Sequence, residues 1–356
     1  MIRSKSAIFL ALLISVATAL AIACGDEYSS TTTSTDGPEK PVTLRLGYFA
    51  NVTHAPAVLG VADGSFRAEL GSNIKLETKV FNAGPAAIEA MFAGELDAAF
   101  LGPNPAINGF QRSNGKEVRI VAGAASGGAL LIVRPEANIN SAKELANKKI
   151  ATPQLGNTQD VALRSYLLKN GLRPKENGGN VTILPTANAD QLTLFQKGDI
   201  DGAWAPEPWA TRLVLEAGGK VFLDEATLWP NGQFVTTQLI VSAEFLKEHP
   251  RTVERLVRAE VKATLFINAN PEKAKETVNK GIETLTGKPL SAATIDGAWK
   301  NLTFTYDPIA SSLKKSAKDA YEAGLLGRQE PNLNGIYALS ILNKVLGELN
   351  LQPVNE

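Results

Sequence analysis

The sequence predicts an α/β protein of two lobes, each a mostly parallel sheet flanked by helices. Three observations carry that prediction. Segments of strand and helix character alternate from residue 42 to residue 205, the grammar of parallel α/β sheets. The chain has 356 residues, too many for one small core and suited to two. One phrase also occurs twice: residues 94–106 read GELDAAFLGPNPA and residues 198–210 read GDIDGAWAPEPWA.

The body begins at Pro41. Residues 42–48 alternate apolar with polar or small and read as a strand. The loop 49–54 leads into a short helix over 55–63, and 74–81 is a second strand. Asn82-Ala83-Gly84-Pro85 opens a helix over 86–93, with Pro85 where a first-turn proline is tolerated. Ile88, Met91 and Phe92 are helically spaced and Gly94 stops the helix. Residues 98–101 read as a buried strand and 102–105 as a loop. Strands over 118–122 and 129–133 flank a glycine-rich turn, 123–128, which lacks the Gly-Lys-Ser/Thr ending of a nucleotide loop.

A new unit starts after Pro135. Ser141 and Glu144 make a capping-box pattern, and 149–152 is a strand. Residues 154–160 lead into a helix over 161–169 closed by Asn170-Gly171. A strand over 181–184, a helix over 190–196 and a strand over 201–205 follow, the last delivering Pro206-Glu207-Pro208-Trp209. From Phe245 the pattern turns helical: Leu246, Val253, Leu256, Val257, Val261, Leu265 and Phe266 share a face, and a tail helix covers 336–349.

The repeat gains meaning from this order. In each copy a helix ends at Gly94 or Gly198, Asp97 or Asp201 enters a buried strand, and a Pro-x-Pro stands at the strand's carboxyl end. Ligands of open α/β sheets bind outside those ends, so two such lobes facing each other make a cleft. Four loops with small residues belong to it: Gly84-Pro85-Ala86, Gly102-Pro103-Asn104, Ser126-Gly127-Gly128 and Gly156-Asn157-Thr158. Small residues let backbone N–H groups point at a ligand, and helix N-termini add partial positive charge. None of the four holds Lys or Arg, so an anion would rest on amides and hydroxyls, with His54 the nearest possible cation. Asn51, Thr53 and His54 lie in the first cleft loop; His54 is either a ligand contact or a packing residue at a helix start. Trp204 and Trp209 offer an aromatic wall or core packing. Glu207 would bind a ligand amine or fix the lobe interface.

Lys+Arg and Asp+Glu are both 36, so no basic surplus exists to hold a phosphate backbone and nucleic acid is not an expected partner. Arg3 and Lys5 precede an uncharged run over 7–23 that ends in small residues before Cys24, a signal-peptide pattern. Cys24 is the only cysteine, which rules out an internal disulfide. The run resembles a bacterial lipobox, in which that Cys is acylated, although Ala21 stands where Leu is commoner. The alternative is an uncleaved anchor helix, for which the run is slightly short. Residues 25–40, GDEYSSTTTSTDGPEK, read as a flexible tether.

GYFANVTHAPAVLGVADGSF (47–66), FNAGPAAIEAMFAGELDAAFLGPNPAI (81–107), KELANKKIATPQLGNTQDVALRSYL (143–167), GDIDGAWAPEPWATRL (198–213) and QFVTTQLIVSAEFLKEHP (233–250) together resemble the solute-binding proteins of ABC importers. The branch is the one for aliphatic sulfonates, taurine, nitrate and thiamine-precursor pyrimidines. The resemblance implies a type II periplasmic-binding-protein fold. Lobe one would be 41–134 plus 236–356 and lobe two 135–235, with a two-segment hinge near 133–134 and 235–237. It implies a monomeric, cofactor-free receptor outside the cytoplasm, lipid-anchored through Cys24. This receptor would capture a small anionic or zwitterionic ligand, foremost an aliphatic sulfonate, and hand it to an ABC permease and its ATPase. Nitrate, bicarbonate, taurine or a pyrimidine are alternative ligands, and a ligand sensor is an alternative role. Pyrimidine synthases that resemble this family use a Cys-rich stretch and a His for iron; with Cys24 in the leader, that chemistry lacks its residues.

Overall fold

A computed structural model describes residues 41–356. Residues 1–40, on which the expected signal peptide, Cys24 and the expected tether fall, lie outside the described residues. The chain opens with β1 (Val42–Tyr48), α1 (Ala55–Ala62), α2 (Ser65–Leu70), β2 (Ile74–Val80), α3 (Gly84–Phe92), β3 (Ala98–Leu101), α4 (Pro103–Arg112) and β4 (Val118–Gly127). It continues through β5 (Ala129–Val133), β6 (Lys149–Thr152), α5 (Thr158–Lys169), β7 (Thr182–Pro185), α6 (Asn188–Lys197), β8 (Gly202–Pro206), α7 (Trp209–Ala217) and β9 (Lys220–Asp224). It closes with β10 (Val235–Ser242), α8 (Ala243–Glu248), α9 (Pro250–Ala269), α10 (Pro271–Thr286), α11 (Ala292–Lys300), β11 (Leu302–Phe304), α12 (Ala310–Glu322) and α13 (Leu339–Glu348).

Two sheets result. The first has six strands in the order β11-β4-β10-β3-β1-β2, the second five in the order β7-β6-β8-β5-β9. Each is covered by helices on both faces. In the first lobe, α1, α2, α9, α10 and α13 contribute to one core, with Leu44, Leu46, Phe66, Phe100 and Leu256 fully buried, and α3, α4 and α12 to the other. In the second, α5 and α6–α7 do the same. The two-lobe α/β architecture is as expected.

Several details are not. The sheets are mixed, not mostly parallel: β1 pairs in parallel with β2 and β3, and β6 with β7 and β8, but β4, β5, β9, β10 and β11 pair antiparallel. The antiparallel strands include those that carry the chain between lobes. Residues 123–126 belong to β4 and do not form a turn. The reversal is Gly127-Gly128, both with positive φ (78° and 69°), and there the chain leaves the first sheet. A Cβ on Gly127 would lie 2.7 Å from the Asn301 carbonyl oxygen and one on Gly128 2.4 Å from Leu302, so both conformation and space demand glycine. Strand β5 therefore belongs to the second sheet, and the first crossing falls before the expected 133–134. The return crossing lies between β9 and β10. The two crossings are tied together: Phe234 N–H donates to Ser126 Oγ (3.3 Å), and the Thr236 hydroxyl donates to the Gly127 carbonyl. The Pro-x-Pro at 103–105 opens α4, with Pro103 at its first position; the expected loop is a helix N-terminus.

Candidate functional site

Six strands run in parallel within the two lobes, and each delivers a residue from its carboxyl end to one small pocket. Phe49 follows β1, Asn82 follows β2, Gly102 follows β3, Pro153 follows β6, Asn188 follows β7 and Pro206 ends β8. The 3-10 turn after β1 adds Asn51, Thr53 and His54, the start of α5 adds Asn157, Thr158 and Gln159, and the return crossing adds Thr236 and Thr237. The free space is about 20 Å³, near the size that holds one water. The cleft is thus closed in this structure.

Contacts between lobes hold it shut. Trp209 Nε1–H donates to Asn51 Oδ1 (2.9 Å), Thr53 N–H to the Glu207 carbonyl (3.4 Å) and Gly84 N–H to Asn157 Oδ1 (3.4 Å). A Cβ on Gly102 would sit 2.2 Å from Thr158 Oγ1, so glycine at this strand end lets the lobes meet. Asp160, fully buried at the start of α5, sets the loop that carries Asn157. It accepts from Thr152 Oγ1 (3.0 Å), Gly156 N–H (2.9 Å) and Arg164 Nε–H (2.9 Å).

The electrostatics are those of a neutral, donor-rich site. None of the described residues lining it is Lys, Arg, Asp or Glu. His54 is buried, and desolvation pushes its pKa down to about 3, so it is uncharged at neutral pH and does not serve as the expected cation. Its Nδ1 accepts from Phe49 N–H (3.4 Å), which leaves the ring proton on Nε2 as a donor. Positive potential comes instead from the N-termini of α4, α5 and α6, which start at Pro103, Thr158 and Asn188. Three lining atoms, Thr158 Oγ1, Thr237 Oγ1 and Asn188 Oδ1, are buried with no hydrogen-bond partner among the described residues. Each such group costs about 1–3 kcal/mol unless something binds it.

Of the residues expected at the site, Asn51, Thr53, His54, Gly102, Asn157 and Thr158 line the pocket. The structure places the others elsewhere. Gly84 stands behind Asn157, Pro85 lines a neighbouring groove, and Ala86 is exposed. Asn104 turns inward, donating to the Ser316 carbonyl (3.2 Å). Ser126 and Gly127 belong to the tied crossings. Trp204 is fully buried in the lobe-two core, donates to Glu225 Oε2 (2.8 Å) and meets Tyr166 edge-on; it is not a cleft wall. Glu207 accepts from Thr211 N–H (3.0 Å), Thr211 Oγ1 (2.9 Å) and, across the interface, Asn301 Nδ2 (2.6 Å). Burial pushes its pKa up and those donors oppose the shift. It fixes the lobes and is not free for a ligand amine. Asn82, Asn188, Thr236 and Thr237 were not anticipated. Asn188 follows β7 as Asn157 follows β6, and the polar Thr236-Thr237-Gln238 run interrupts an otherwise apolar strand; both signals are visible in the sequence.

Among the described residues no group of three or more His, Cys, Asp or Glu is placed to hold a metal ion, and no helix is long and apolar enough to cross a membrane. Comparison with known proteins agrees with the architecture. A curated protein of Brucella abortus (strain 2308), named as a supposed binding protein, is 25% identical over 272 residues, 72% of this chain and 81% of its own length. The alkanesulfonate-binding protein of Xanthomonas axonopodis pv. citri, solved with MOPS bound, superposes with a TM-score of 0.70 at 18% identity, covering 83% of this chain and 98% of that one. The periplasmic nitrate-binding protein of Synechocystis PCC 6803 does so with a TM-score of 0.70 at 14% identity, covering 88% and 90%. At these identities the structures share the fold, that of two-lobe solute-binding proteins. The NMT1-like family model matches residues 37–280, most of the chain, and the protein belongs to the NMT1-like family.

Proposed function

We propose that the protein is an extracytoplasmic solute-binding protein of an ABC importer that captures a small oxyanion, foremost an aliphatic sulfonate, between its lobes and delivers it to a permease. The observation that carries this reading is the pair of hydroxyls Thr158 Oγ1 and Thr237 Oγ1, both able to donate and left without partners in an uncharged pocket where three helix N-termini converge. Hydroxyl donors and helix ends suit an oxyanion whose charge is spread over several oxygens. A zwitterion such as taurine fits less well, because no carboxylate lines the pocket and Glu207 is already satisfied. Nitrate or bicarbonate is the second reading, favoured by the small free space. Entry of either ligand requires the lobes to part about the crossings at Gly127-Gly128 and between β9 and β10. Cys24, acylated, would hold the body to the membrane through the 25–40 tether. The reading as a receptor is supported by a pocket whose polar lining is hydroxyl, amide and imidazole groups suited to holding a ligand.

The test is a thermal-shift panel on the full chain with alkanesulfonates, taurine, nitrate, bicarbonate and aminopyrimidines. Sulfonates, then nitrate, are expected to raise Tm. A rise with pyrimidines alone would sink the oxyanion reading.

A further inference from the structure

Beside the pocket lies a groove of about 250 Å³ lined mainly by Pro85, Ile88, Pro105, Leu155 and Leu325. Its one charged lining residue, Arg112, is already held by Glu89. Three chain segments feed both spaces. The turn before α3 gives Asn82 to the pocket and Pro85 to the groove, the start of α4 gives Gly102 and Pro105, and the loop before α5 gives Asn157 and Gly156. Where these segments meet, Gly84 N–H donates to Asn157 Oδ1 in one long hydrogen bond of 3.4 Å. A Cβ on Gly84 would lie 2.4 Å from Pro105 Cγ and 3.4 Å from Asn157 Oδ1, so glycine lets the α3 turn pack against both the groove wall and the lobe-two loop. On the lobe-two lip, Leu155 is 56% exposed, an apolar side chain with no core to join.

The geometry points to a two-compartment site: the polar pocket takes the oxyanion head, and the apolar groove takes the ligand's hydrocarbon tail, reached when the Gly84–Asn157 contact parts. This inference rests on the proposed function and narrows its ligand class to anions bearing a short unbranched apolar chain. Leu155 and Leu325 close over the tail from opposite lobes, so tail length is read at the lip of the cleft and head chemistry at its floor.

Calorimetric titration of the full chain with methane-, propane- and hexanesulfonate tests it. Affinity should rise about two- to fourfold per added methylene, the gain from burying each CH₂. Leu155→Ser combined with Leu325→Ser should cut hexanesulfonate affinity at least about tenfold and leave methanesulfonate within about twofold. Binding of methanesulfonate with no gain along the series, or an equal gain in wild type and double variant, overturns the two-compartment site alone. Failure of methanesulfonate and nitrate to bind the wild type overturns the oxyanion reading and the tail groove with it.

Discussion

GELDAAFLGPNPA and GDIDGAWAPEPWA end at corresponding places in two lobes, and their likeness and their differences have different causes. In each, the Asp takes the backbone N–H of the neighbouring parallel strand at a separation of 52 residues: Arg45 N–H to Asp97 Oδ2 at 2.8 Å, and Lys149 N–H to Asp201 Oδ2 at 2.7 Å. The strand that follows pairs in parallel in matching register, Leu46 with Ala98 and Ile150 with Gly202. The shared letters therefore build a strand end and aim it at the cleft, where Gly102 and Pro206 both line the pocket. The letters that differ serve each lobe's own packing. Phe100 and Trp204 fill separate cores, Asn104 bonds within lobe one, and Glu207 reaches Asn301 across the interface. The pocket's unpartnered buried side-chain atoms lie outside the repeat, on Thr158, Asn188 and Thr237.

The largest effect expected separates the lobes by pH. Glu260 in lobe one is buried with only Thr264 Oγ1 (2.9 Å) to serve it, and desolvation pushes its pKa up to about 8; Glu225, held by the lobe-two Trp204 and by Trp229, is pushed up to about 7. A carboxyl raised in the folded state contributes stability that is full below the unfolded value near 4.5 and is lost as pH rises toward the folded one. Between pH 5 and 8, Glu260 thus accounts for about 4 kcal/mol of lost stability. Glu260→Gln should flatten the fall in urea midpoint over that range; an unchanged slope would show that Glu260 ionises freely in the fold. His54 has the opposite sign: its depressed pKa lowers stability as pH drops below about 6.5 toward 3.

Next come the two aspartates. Asp97→Ala should cost about 3 kcal/mol, leaving a strand N–H unpaired and Arg45 without its carboxylate, and Asp201→Ala about 1–2 kcal/mol. The Arg45 side chain is 40% exposed, so its ion pair adds only the smaller part. Equal costs in chemical denaturation would remove the Arg45 share; a neutral Asp201→Ala would break the equivalence of the copies.

Gly102→Ala sharpens the comparison at the strand ends. Its Cβ would meet Thr158 on closure, so anion affinity should fall by about tenfold or more, roughly 1.4 kcal/mol, while Tm stays close to wild type. Retained affinity would mean that the lobes close without the Gly102–Thr158 approach. Thr158→Val carries the smallest effect and two opposite signs. Removing an unpartnered buried hydroxyl should stabilise the unliganded protein by up to about 1 kcal/mol while weakening anion binding. If stability and affinity fell together, Thr158 would be a packing residue.

Much of this was legible in the linear pattern, because it depends on near neighbours. Alternation gave β1 and β2, the glycine stops gave the ends of α3 and α6, and small residues after strands marked Gly102, Asn157 and Thr158 as cleft positions. Local backbone rules decide such features, and a one-dimensional reading can apply them. What needed the tertiary structure was anything set by distant partners. Trp204 and Trp209 look alike beside a Pro-x-Pro, yet one meets Glu225 in a core and the other meets Asn51 across the cleft. His54 loses its charge through burial by segments far along the chain. Gly127-Gly128 must be glycine at the crossing because Asn301 and Leu302, far along the chain, crowd it. The sequence by itself determined two α/β lobes with strand ends facing a cleft. Only the tertiary structure decided which side chains enter that cleft, because burial and pairing energies belong to contacts the chain makes after it folds.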